Sequence, residues 1–148
     1  MSNREYVSLT EVQRVCRELG IRDWTKLAEA RVTLEEAEII QGEIGGEAKL
    51  ISGDAFRQGL EVELEHGTQF PDANVTNNHP ILTGKIVLAH LKEMLDYYAR
   101  LEVAELEGDL LKASQAGDLE RLARKYQQLL EARGELAAQE KAAGAKAE

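Results

Sequence analysis

The chain has 148 residues, of which 43% are hydrophobic and 30% charged, and its net charge is −9. That length supports one globular domain with a real core, while the acidity, with no compact basic patch to offset it, argues against nucleic acid and anionic membranes as partners. The longest apolar runs are a few residues, too short to span a membrane, and Cys16 stands alone, which excludes an intrachain disulfide or a multi-cysteine zinc site.

The composition predicts an all-α protein. Only Pro71 and Pro80 occur, both beside one loop, and Ala, Leu and Glu dominate without alternating β-branched runs. "MSNREYVSL" lacks the basic start and apolar centre of a secretory signal, so a cytoplasmic protein is expected. An N-terminal helical segment is expected over 1–52. "SLTEVQRVCRELG" (8–20) and "TLEEAEIIQGEIG" (33–45) form a weak two-copy repeat at an offset of 25 residues. Ser8 with Glu11 and Thr33 with Glu36 fit capping boxes. Gly20 and Gly45 suit the left-handed residue that ends a helix. Between the copies, a short helix after Asp23 would bury Trp24, the only tryptophan. Cys16 is expected as a small buried residue.

A helical core is expected over 53–114. Its third helix runs from about Asp54 to His66, capped by Ser52 and stopped by Gly67. The loop "TQFPDANVTNNHP" follows. Pro80 suits the first turn of a fourth helix, where no N–H bond is lost, and that helix extends to about Ser114. A short connection predicts that the third and fourth helices are antiparallel neighbours. Gly117 and Asp118 signal a stop and restart. Over 115–148, Leu119, Leu122, Tyr126, Leu129, Leu130 and Arg133 mark an amphipathic C-terminal helix whose end frays.

The chemistry concentrates in "FRQGLEVELEHG" (56–67) and "LAHLKE" (88–93). At 100° per residue, Phe56, Leu60 and Leu64 form a buried stripe, Glu63 and His66 cluster beside it, and Glu61 and Glu65 point away. On the fourth helix Ile86, Val87, His90, Met94, Tyr97, Tyr98 and Leu101 define an apolar face with His90 near its centre and Glu93 at its edge. A ring there needs a partner. Convergence of Glu63, His66, His90 and Glu93 would suit zinc, manganese or iron. The plainer reading of the same residues is a buried Glu–His–Tyr hydrogen-bond network that fixes helix register. Catalysis would need an open coordination position, with Glu65 as candidate base. "ILTGKI" lacks the glycine spacing of a phosphate loop. Asp72, Asn74, Thr76 and Asn78 alternate oxygen donors like part of a calcium loop, without its glycine or closing Glu; turn and cap roles account for them as well. His79, before Pro80, reads as a solvated loop residue.

"GLEVELEHGT", "NVTNNHP" and "TGKIVLAHLKEMLDYYARLE" together resemble the small bacterial and bacteriophage family catalogued as domain of unknown function 5661, over roughly 54–104. The resemblance marks Glu63, Glu65, His66, Asn74, Thr76, Thr83, Lys85, His90, Glu93, Tyr97 and Tyr98. The family pattern has two aspartates where Asn78 and His79 stand, and a proline where Leu95 stands. The first difference argues against a cation in the loop, and the second implies a straighter fourth helix. The resemblance implies no activity; it points to an accessory or virion-associated role.

The function expected is therefore a non-catalytic assembly or interaction protein. It would meet a protein partner or a second copy through the C-terminal helix, with localisation in the cytoplasm or in a virion. The alternative is a divalent-metal-binding protein using Glu63, His66, His90 and Glu93, or a metal-dependent enzyme built on them.

Overall fold

The structure, a computed structural model, describes residues 5–147, with side chains to 145. Residues 1–4, part of the stretch read for a secretory signal, and Glu148 lie outside the described residues. Six α-helices and no strand occur among the described residues, so the protein is all-α. None of these helices is long and apolar enough to cross a membrane. The chain forms two compact units, Met1–Lys92 and Glu93–Glu148, so the boundary falls inside the expected 53–114 segment.

The first unit begins with α1 (Leu9–Leu19) and α2 (Leu34–Ile44), the two copies of the repeat, each of 11 residues. Ser8 and Thr33 cap them by accepting from the backbone N–H of Glu11 and Glu36. The second copy closes the full capping box, whereas the Glu11 carboxylate turns instead to Arg14. Gly20 takes the left-handed conformation, with φ 70° and ψ 28°, and closes α1. The expected helix after Asp23 is one 3-10 turn, Trp24–Lys26, started by the Asp23 carboxylate on the Thr25 N–H.

Glu36 binds this part together. It is 5% exposed. Its carboxylate accepts from Trp24 Nε1 at 3.0 Å, from Arg22 Nη2 at 2.7 Å and from the Thr33 N–H at 3.1 Å. Burial works against the charge, yet the bonds from Arg22, Trp24 and Thr33 outweigh it and hold the carboxyl at about 2. Trp24 is thereby fixed in a core with Val12, Cys16, Ile40, Phe56 and Leu60, all at most 1% exposed. Burial also raises the Cys16 thiol, in keeping with an inert core residue.

Helix α3 (Gly53–Gln69) starts on Ser52, as expected, but passes through Gly67. That glycine does not end the helix: a Cβ there would lie 2.7 Å from the Asn74 side chain, so the residue makes room for the following loop. Helix α4 (Pro80–Glu93) begins at Pro80. Gly84 is its point of closest approach, where a Cβ would meet Ile44 at 2.7 Å and Ile40 at 2.8 Å. Ten residues, 70–79, separate α3 from α4, including a 3-10 turn at Pro71–Ala73. With that longer connection, α3 pairs chiefly with α2.

The expected single helix from Pro80 to Ser114 is two helices. Helix α5 (Tyr97–Ala116) starts after a break at 94–96. There the Tyr97 N–H turns back to the Met94 carbonyl, and Arg100 holds Asp96 with two bonds of 3.0 and 2.9 Å. Leu95 is 77% exposed, so no burial rewards continuing the helix through it. The straight fourth helix expected from Leu95 is thus not what forms.

In the second unit, α5 and α6 (Leu119–Ala147) form an antiparallel hairpin turned by Gly117, at φ 67°, and by Asp118, which caps the Arg121 N–H. Leu106, Leu129 and Ala132 are buried together, with Val103 and Leu110 against them. Lys125 bridges to Asp109 at 3.0 Å across the same seam.

Glu36→Ala leaves Trp24 Nε1 buried without its acceptor and should lower stability by about 3–5 kcal/mol in denaturant titration. Because the folded carboxyl is depressed, its contribution is complete above the ordinary carboxyl range and fades as pH falls toward about 2. Thermal midpoints measured between neutral and acid pH should show that loss, and a folded Glu36→Gln variant should lack this component.

Candidate functional site

The Ser52 cap sets the phase of α3 and so buries Phe56, Leu60 and Leu64 at four-residue steps. Glu63 is left at the edge, its side chain 17% exposed. On α4 the buried positions are Pro80, Thr83, Gly84, Val87 and Leu91. The close approach at Gly84 fixes that phase. His90 therefore lies at the edge of the apolar face, not at its centre, with its side chain 32% exposed. Ile86 and Met94, expected on that face, are 37% and 43% exposed.

Glu63 Oε1 and His90 Nε2 are 3.5 Å apart, an ion pair when the imidazole is protonated. The structure thus brings these two of the four candidate ligands together. His66 is exposed and lines a cleft of about 170 Å³ with Glu63, Gly67, Asn74, Thr76, Thr83 and Ile86. Glu93 is the exposed last residue of α4. Glu65 faces a different hollow, beside Glu61, Glu29 and Arg31, so it is not placed as a base for the Glu63–His66 cleft. Among the described residues no three His, Cys, Asp or Glu side chains come together in a way that could hold a metal ion. The cleft is also below the roughly 300–1,000 Å³ typical of organic ligand sites. Its chemistry is that of a carboxylate–imidazole pair beside a small polar hollow.

The loop at 74–79 holds the residues that sequence reasoning undervalued. Asn77 and Asn78 have φ of 48° and 61°, a conformation asparagine tolerates better than most residues. Asn78 is buried, donates to the Trp24 carbonyl at 2.9 Å and accepts from Asn74 at 2.9 Å. Asn77 donates to the Val7 carbonyl. Of the alternating oxygen donors, Asn74 and Asn78 are thus engaged with each other, and Asn78 also with Trp24. His79 is half-buried, not solvated: its Nδ1 accepts from the Ile81 and Leu82 N–H groups and caps α4. The legible signal was the Asn-Asn pair directly before His-Pro, a left-handed turn followed by a helix start.

Asn78→Asp would lose the donor to the Trp24 carbonyl and set a carboxylate against it. A loss of about 1–3 kcal/mol is expected in thermal or denaturant unfolding. An unchanged midpoint would remove this loop from the framework of the site.

No curated protein and no solved structure matches the chain. A family model described as "Protein of unknown function (DUF5661)" matches residues 12–107. That span takes in α2, α3, α4, the loop and the Glu63–His90 pair, and it ends within α5, before α6. The chain belongs to the DUF5661 family.

Proposed function

We propose that the protein is a non-catalytic assembly protein that self-associates through α6. The observation that carries this is a second apolar stripe on that helix. Leu129 and Ala132 are spent in the seam with α5. About 100° round the helix, Leu119, Ala123, Tyr126, Leu130 and Ala137 lie in line, interrupted at Arg133, at the alternating four- and three-residue steps of a helix–helix contact. Leu119, Tyr126 and Leu130 are 76%, 49% and 45% exposed.

A second copy fits this stripe by charge. Both signs alternate around it, with Glu120, Glu131 and Glu135 among Arg121, Arg124 and Arg133. In an antiparallel pair centred near Tyr126, Arg133 of one copy stands opposite Glu120 of the other. Elsewhere the net charge of −9 makes two copies repel, which confines association to this helix. Two hairpins joined in this way make a four-helix bundle, a stable way for two amphipathic helices to bury what a lone hairpin exposes.

A second reading, divalent-metal binding, is favoured by one feature: Glu63 lies between His90, at 3.5 Å, and the cleft it shares with His66. Zinc, manganese or iron would suit such donors after a movement of His66.

For the first reading, mass in solution should rise with concentration through the micromolar range. Tyr126→Glu and Leu130→Glu should hold the chain as a monomer whose unfolding midpoint matches that of dilute wild type and no longer rises with concentration. A wild-type protein monomeric throughout would overturn it. For the second, protein purified without a histidine tag or chelator should carry stoichiometric metal, lost in a His66→Ala/His90→Ala variant; metal-free wild type after incubation with zinc would exclude it.

A further inference from the structure

The first turn of α4 depends on one imidazole nitrogen. Pro80 brings no N–H, so Ile81 and Leu82 supply the first backbone donors of the helix. Both point at His79 Nδ1, at 3.2 and 3.3 Å. A nitrogen accepts these bonds only when it carries no proton, so the structure requires His79 protonated on Nε2 alone. The His79 carbonyl in turn accepts from the buried Thr83 hydroxyl at 2.7 Å. The two residues before it tie the loop to the Val7 and Trp24 carbonyls. Asn74, Val75, Thr76 and Thr83 form one wall of the Glu63–His66 cleft. The imidazole thus sits where the cap of α4, the anchors of the loop and the wall of the cleft meet.

We propose that His79 is a pH-sensitive latch: neutral, it caps α4 and holds the 74–79 loop in place; protonated, it releases the first turn of α4 and loosens the cleft wall. The physical reason is local. A proton on Nδ1 would face two N–H donors and the positive end of the helix dipole. Charged groups facing His79 come from α1: Glu11, which favours the imidazolium, and Arg14, which opposes it. Glu11 is bonded to Arg14, so the released imidazolium competes for a carboxylate already within reach. Burial, the larger effect, lowers the folded-state value from the ordinary one near 6.5. The stability from neutral His79 is complete above the ordinary histidine value and is lost as pH falls through the lowered folded value.

The test is NMR on the full chain, following the His79 ring and the Ile81 and Leu82 amides from neutral to mildly acid pH. The ring should be the Nε2–H tautomer at neutral pH. Protection of the two amides should fall by about tenfold per pH unit as pH approaches the folded-state value, the slope for one linked proton. His79→Asp, a carboxylate cap that stays charged in this range, should keep them protected. His66→Ala and His90→Ala should leave the pH dependence in place. Protection independent of pH in the wild type, an Nδ1–H tautomer, or a pH dependence that persists in a folded His79→Asp variant would overturn the latch.

Discussion

One buried carboxylate, that of Glu36, organises the first unit. It is charged, almost wholly covered, and surrounded by donors from Arg22, Trp24 and Thr33. A buried charge is tolerated only when its bonds are complete, so each of these partners is fixed in place by the others. The consequences run outward along hydrogen bonds. Trp24 is held by its ring, its carbonyl then receives Asn78, and Asn78 receives Asn74. Asn74 packs on Gly67 and helps to line the cleft beside Glu63. The small hollow near the Glu63–His90 pair therefore inherits its shape from a capping box on another helix. Against a total stability of about 5–15 kcal/mol for a typical domain, a network of this kind is a large share.

The two units obey different rules. In the first, polar bonds between short helices and loops supply much of the order, and a glycine at position 84 lets α4 approach Ile40 and Ile44. In the second, a repeating apolar seam joins two long helices with a two-residue turn, and Lys125 pairs with Asp109 across it. The family match spans most of the first unit and stops at Glu107, so the helix with the exposed second stripe lies beyond it. Family membership thus bears on the framework around Glu36 and the cleft, and α6 is the element whose surface separates this chain's proposed behaviour from the shared core.

Local signals in the sequence were reliable where the cause is local. Ser8, Thr33, Ser52 and Pro80 start helices, and Gly20 and Gly117 end them, because caps and left-handed turns involve only neighbours. Leucine spacing gave the buried stripe of α3 for the same reason. Gly67 misled because its role is tertiary: it clears space for Asn74, which no periodicity encodes. His90 was displaced from the centre of its face because the phase of α4 is set by Gly84 against α2, not by the hydrophobic count alone. At the break at 94–96 the Tyr97 N–H turns back to the Met94 carbonyl and Arg100 holds Asp96, an arrangement that favourable helix formers on both sides conceal. Of the site, periodicity placed Glu63 beside the buried stripe of α3, whereas the Glu63–His90 approach and the roles of Asn78 and His79 depend on contacts that only the fold brings together.

Self-association through α6 is tested most directly by a spin label on that helix. Gln127, exposed and beside the stripe, takes the label as Gln127→Cys in a Cys16→Ala background. Each chain then carries one label, so any dipolar coupling arises between copies. Helices packed on these stripes have axes about 8–10 Å apart, which places the labels at short, narrowly distributed distances that Leu130→Glu abolishes. Absence of coupling at concentrations where the protein remains folded, or coupling only at long and broad distances, would contradict association through this face.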